Sequence, residues 1–145
     1  MREPLLISAC LLGENCKYNG GNNYIAEVEL LRERYTLLPV CPEQDGGLPT
    51  PRESSERLGD RVISKGGGDV TAFFLRGAQH ARDTACTHGC TRALLKERSP
   101  SCGCGAIYDG TFTGTVVEGD GVTAQLLQQH GITVYGESRI QELLR

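Results

Sequence analysis

Tryptophan is absent from the 145 residues, and aromatic side chains make up only 6%. A chain this poor in flat rings offers little of the stacking platform that grips single-stranded nucleic acid. Neither sign of charge dominates. The net charge is −3, so nothing draws the whole surface to DNA or RNA, although a local basic pocket for a small anion fits such a balance. No apolar run reaches the length of a membrane span, and the N-terminal stretch has no signal-peptide core or cleavage site. The expected location is the cytoplasm, with no membrane and no DNA as partner. The best-known cysteine spacings of metal sites are missing too. There is no C-x2-C of zinc sites, no C-x2-C-x2-C of ferredoxins and no C-x3-C-x2-C of radical enzymes.

What the chain does have is cysteine. Seven cysteines are many for one domain, the count is odd, and no export signal accompanies them. In a reducing compartment disulfides are disfavoured, which leaves metal binding or thiol chemistry. Hydrophobic residues make up 39%, enough for residues 1–145 to fold as one domain around a core without staples.

The periodicity alternates between strand and helix. Residues 4–9 are a short apolar run of strand length. Tyr24, Val28, Leu31 and Arg34 fall at helical spacing, with Asn22 or Asn23 expected as the cap. Residues 36–40 read as a buried strand weakened by Pro39. Residues 42–60, rich in Pro, Gly and Ser, read as a long ordered loop, and 61–64 as a short strand. Asp69 is expected to cap a helix whose Val70, Phe73, Phe74, Gly77, Ala78, Ala81 and Ala85 share one face, stopped by Gly89. Residues 92–96 and 132–135 read as strands, and 113–117 as a weaker one. Asp120 is expected to cap a helix that ends at Gly131, and Ile140, Leu143 and Leu144 support a terminal helix. This alternation predicts an α/β fold: a parallel, Rossmann-like sheet flanked by helices.

In such a sheet three cysteines gather. Cys10 follows the first strand, Cys41 the second, and Cys102 lies in the turn after the strand ending at Lys96. Parallel strand ends point to one edge, where open α/β sheets bind ligands. One cysteine reads well as a small buried hydrophobe; three at equivalent positions point to a shared site. Ligands spread over three loops suit an iron–sulfur cluster open at one position. Cys16 is a fourth ligand, a structural cysteine or a sulfur-accepting thiol. Cys104 is too close to Cys102 to bind easily beside it. Cys86 and Cys90 flank His88 in C-x3-C; packing on a helix face and a loop end is the expected role, with a metal clip as the alternative.

Polar groups adjoin these cysteines. Glu43 follows Cys41 by two residues, placed to serve as a general base or as a loop residue. Ser99 and Ser101 flank Pro100 before Cys102, where serines either bond local backbone or meet substrate. Lys17, Arg52, Lys65 and Lys96 are the basic candidates for an anionic substrate.

Several stretches in order carry a family likeness. They are Ser8-Ala9-Cys10-Leu11-Leu12-Gly13, Cys16-Lys17-Tyr18-Asn19-Gly20, Pro39-Val40-Cys41-Pro42-Glu43, Gly46-Gly47-Leu48-Pro49-Thr50-Pro51-Arg52, Ser99-Pro100-Ser101-Cys102-Gly103 and Ile107-Tyr108-Asp109-Gly110-Thr111-Phe112. The chain resembles the bacterial family known as domain of unknown function 523, which includes thiouracil desulfidases. The resemblance implies a [4Fe–4S] cluster on Cys10, Cys41 and Cys102, with Glu43 and Ser101 as the catalytic pair. It implies release of sulfide from a thiolated uracil base or nucleotide, of the 4-thiouracil or 4-thio-UMP type, by a substitution without net redox change. An iron–sulfur sensor without turnover and a zinc-stabilised domain are the alternatives.

Overall fold

Leu5, Leu6 and Ile7 form an unbroken apolar run, and all three are fully buried. A strand buried on both faces belongs inside a parallel sheet covered by helices. The computed structural model, which describes residues 2–145, places it there. The strands are β1 (Glu3–Ser8), β2 (Tyr35–Val40), β3 (Ser55–Leu58), β4 (Arg61–Ser64), β5 (Arg92–Leu95), β6 (Ala106–Tyr108), β7 (Val116–Glu118) and β8 (Thr133–Gly136). The helices are α1 (Val28–Arg34), α2 (Pro42–Asp45), α3 (Thr71–His88), α4 (Val122–Gln129) and α5 (Ile140–Leu143). Four strands form one parallel sheet in the order β2-β1-β5-β8. Pro39 is tolerated because β2 is an edge strand, where a missing N–H costs no ladder bond.

Each face of the sheet carries its own core. Leu6, Leu95 and Val134 pack with Ala81 and Ala85 of α3 and Leu127 of α4. Leu5, Ile7 and Leu94 pack on the opposite face with Val28 and Leu31 of α1 and with Ile140 and Leu143 of α5. The small residues of α3 are what let it lie close. A Cβ on Gly77 would collide with the Pro42 carbonyl, and a Cβ on Gly46 with the Phe73 carbonyl. The turn that begins at Cys41 therefore docks straight onto α3.

Several local expectations are corrected. Neither asparagine caps α1, which starts at Val28; Asn22 instead accepts the Tyr24 N–H in a turn of its own, at 3.0 Å. Asp69 does hold the first turn of α3, accepting the Thr71 N–H at 3.0 Å from one residue outside the N-cap position. Asp120 does not cap α4. Gly121 occupies that position, and the Asp120 carboxylate accepts the Gly105 N–H at 2.8 Å. The stretch read as a loop at 42–60 contains α2 and β3, and β3 pairs with β4 in an antiparallel hairpin. A second hairpin, β6 with β7, replaces the lone strand expected at 113–117. Among the described residues no helix is long and apolar enough to cross a membrane.

Candidate active site

The order β2-β1-β5-β8 reverses direction between β1 and β5, the switch point where doubly wound sheets open a crevice at their carboxyl ends. A cavity of about 600 Å³ lies there. Cys10, Cys41 and Cys102 all line it, together with Cys16 and Glu43.

Each cysteine is fixed by its own strand end. Cys10 sits in a 3-10 turn, Ala9–Leu12, that follows β1, and its carbonyl accepts the Asn23 N–H at 2.9 Å. Cys41 directly follows β2. Its N–H donates to Asp45 Oδ2 at 3.1 Å, and its carbonyl accepts the Asp45 N–H at 2.8 Å, closing the α2 turn. Cys102 is buried in a turn after β5. Its N–H donates to Ser99 Oγ at 3.0 Å, and Ser99 Oγ also accepts the Ser101 N–H at 3.1 Å. Ser8 ties the ends of β1 and β5 together: its hydroxyl accepts the Lys96 N–H at 2.9 Å.

The thiols differ in how readily they ionise. A hydrogen bond from Cys16 brings the Cys10 thiol down to about 7, with Asn23 and nearby Lys96 adding to the effect against burial. A hydrogen bond from Cys16 likewise lowers Cys41, helped by Arg52. Cys16, the shared donor, is pushed far up by those same bonds, first to Cys10 and then to Cys41. Burial raises Cys102 to about 12. Cys10 and Cys41 are thus the more readily ionised thiols, and burial holds the Cys102 proton more tightly.

Glu43 and Arg52 form the adjoining ion pair. Arg52 Nε donates to Glu43 Oε1 at 3.0 Å, and their side chains are only 18% and 6% exposed for Glu43 and Arg52 respectively. The remaining guanidinium hydrogens reach the Cys16 carbonyl at 2.9 Å, Thr50 Oγ1 at 2.9 Å and the Pro49 carbonyl at 3.2 Å. The Arg fork therefore fixes the Glu43 carboxylate, the Cys16 loop and the 49–50 turn at once. No other hydrogen bond takes the Glu43 carboxylate oxygens among the described residues. Lys96 reaches Glu137 Oε2 at 2.7 Å.

Ser101, expected as one of the catalytic pair, lies behind the cavity wall. It is fully buried, its hydroxyl is shared with Thr123 at 2.7 Å, and it is not on the cavity wall. Ser99, two residues earlier, is on that wall. Its oxygen accepts two backbone N–H groups, so its own proton is free to donate outward. Cys86 is exposed rather than packed, while Cys90 is buried in the core on the α3 side. The basic candidates Lys17, Arg52, Lys65 and Lys96 all line the cavity. Ser8, Glu56 and Phe112 line it as well, and nothing in their spacing marked them beforehand.

The donor set tests which metal group fits. Among the described residues no three His, Cys, Asp or Glu side chains converge on one point as ligands of a single ion must. That disfavours a lone zinc ion. Thiols from separate elements around a roomy cavity fit a multi-iron cluster, whose cysteine ligands stand apart from one another.

A family model described as 2-thiouracil desulfurase matches residues 5–139. The uncharacterized protein YbbK of Bacillus subtilis (strain 168) is 37% identical over 150 residues, spanning 97% of this chain and 99% of its own. The solved structure of a [4Fe–4S]-dependent thiouracil desulfidase, TudS, superposes with a TM-score of 0.92 at 45% identity, over 98% of this chain and 95% of that one.

Proposed function

The chain belongs to the 2-thiouracil desulfurase family, and from that membership we propose that it is a [4Fe–4S]-dependent desulfidase acting on a thiolated uracil base or nucleotide. The observation that carries this reading is the meeting of Cys10, Cys41 and Cys102 on one cavity beside Glu43. Those three cysteines are the proposed ligands, and residues 1–145 act as one unit. Seven cysteines, none in a disulfide among the described residues, suit a reducing compartment such as the cytoplasm.

A cluster bound there supplies a Lewis acid for the thione sulfur. The protein's own groups do the proton work. Glu43, oriented through Oε1 by Arg52, takes a proton from the water that attacks the C=S carbon. We assign proton donation to Ser99 rather than Ser101, because Ser99 lines the cavity and its hydroxyl hydrogen is not used by the two N–H bonds it accepts. The balance is one C=S bond and one water giving one C=O bond and hydrogen sulfide. No electrons are exchanged, so no redox partner is needed.

The test is sulfide release by cluster-loaded protein from a panel of thiolated bases, nucleosides and nucleotides. Sulfide in proportion to the uracil product is expected. Absence of sulfide from every member, with the cluster intact, overturns the reading.

A further inference from the structure

Phe112 occupies a backbone conformation that its side chain does not favour. Its φ is 59°, in the left-handed region, where a bulky residue is a rare outlier. Among the described residues only Arg98 and Phe112 are non-glycine residues with positive φ, and both line the same cavity. Strain of this kind concentrates at ligand clamps, and it persists only where the surroundings enforce it.

What enforces it here is Glu56. This β3 carboxylate is buried, with 9% exposure, and it too lines the cavity. Its Oε1 accepts the Gly110 N–H at 3.0 Å and the Phe112 N–H at 3.1 Å. The turn between β6 and β7 is thereby wrapped around one carboxylate oxygen of the neighbouring hairpin. A glycine at position 112 would make the same turn without strain. The phenyl ring must therefore be useful outside the turn. It does not serve the core: the buried phenylalanine is Phe74, on α3. The chain has five tyrosines and three phenylalanines, and Tyr18, Tyr108 and Phe112 are on the cavity wall, so scarce aromatics are spent at this opening.

We propose that Phe112, held at the cavity wall by Glu56, is the stacking face that receives the flat pyrimidine ring of the substrate. This rests on the proposed desulfidase reaction, since it names how that substrate is held. Phe112 is then a binding residue, and Glu56 a positioning residue that acts through it.

Steady-state kinetics and uracil binding of cluster-loaded protein test the idea. Phe112→Gly should keep or raise Tm, because the turn relaxes. It should still raise KM for thiouracil, and Kd for uracil, by about tenfold, the scale of one lost base–aromatic stack, with kcat unchanged. Phe112→Tyr should restore both constants. Glu56→Ala should raise KM as Phe112→Gly does, and the double variant should be no worse than either single one. An unchanged KM and Kd in Phe112→Gly overturns the proposal, and so does failure of Phe112→Tyr to restore them. If Glu56→Ala does not fold, the Phe112 series alone decides. If wild-type protein releases no sulfide, the proposed reaction fails separately, and calorimetric uracil binding across the same variants still decides the clamp.

Discussion

Arg52 Nε donates to Glu43 Oε1 at 3.0 Å, in a pair whose arginine side chain is 6% exposed. In the proposed reaction Arg52 holds the carboxylate and Glu43 takes the proton. Glu43→Gln keeps size and shape and removes the base. It should retain full iron content yet lose about 10²–10⁴-fold in sulfide release. Wild-type turnover in Glu43→Gln would make the carboxylate structural.

Arg52→Met removes the other partner. The Glu43 charge would be left largely out of water without its fork, a change that typically costs about 3–5 kcal/mol in buried pairs. The Cys16 carbonyl and the 49–50 turn lose their anchor in the same step. Thermal denaturation should show a clear drop in Tm for Arg52→Met, and a Tm equal to wild type would show the pair to be dispensable.

The two serines before Cys102 should behave differently. Ser101→Ala leaves the Thr123 hydroxyl without its buried partner, costing about 1–3 kcal/mol, while the folded and loaded fraction keeps its kcat. Ser99→Ala removes the acceptor for the Ser101 and Cys102 N–H groups and the hydroxyl of a residue on the cavity wall. Its kcat should fall with the cluster in place. Comparing kcat per bound cluster separates the two, and the opposite ranking would return the proton to Ser101.

These serines mark where sequence reading stops. The sheet was legible because Leu5–Ile7 and the α3 stripe bury whole faces, and burial enforces period. The gathering of Cys10, Cys41 and Cys102 followed from topology alone, since parallel strands end at one edge. Which of two serines two residues apart meets the cavity depends on turn geometry that no periodicity encodes. The hairpins were missed for a related reason: their unread strands, β3 and β6, are only four and three residues long, too short for alternation to mark them. Asp120 looked like a helix cap because acids commonly are. A loop N–H at Gly105 claimed it instead, a partner visible only in three dimensions.

Gly77→Ala tests how far α3 sets the site. Alanine is the better helix former by about 1 kcal/mol, so propensity alone predicts a gain. Its Cβ would meet the Pro42 carbonyl, one residue from each of Cys41 and Glu43. Packing strain of about 1–3 kcal/mol should win, and the displaced turn should lower cluster occupancy. Normal iron content with a raised Tm would show that α3 and the Cys41 turn part without cost.

The cysteines divide by position. Cys10→Ser, Cys41→Ser and Cys102→Ser should each lose the visible absorbance of the cluster. Cys86→Ser, Cys90→Ser and Cys104→Ser should keep it, being off the cavity wall. Iron and acid-labile sulfide assays check all six, and iron loss in Cys104→Ser would redraw the ligand set.

Cys16 decides whether a substrate sulfur has a place to bind. A cluster held by four cysteines has no free iron, and one held by three does. The Cys16 loop is less loose than its glycines suggest, because Arg52 clasps the Cys16 carbonyl at 2.9 Å. Placement alone therefore does not disqualify it as a ligand. The three-cysteine set proposed above leaves it as a neighbour, on the cavity wall beside Cys10 and Cys41. Cys16→Ala should keep its iron. Added 4-thiouracil should shift the visible spectrum of the wild-type cluster. Iron loss in Cys16→Ala, together with a wild-type spectrum indifferent to every thiolated pyrimidine, would mean a closed four-cysteine site and no desulfidase of this kind.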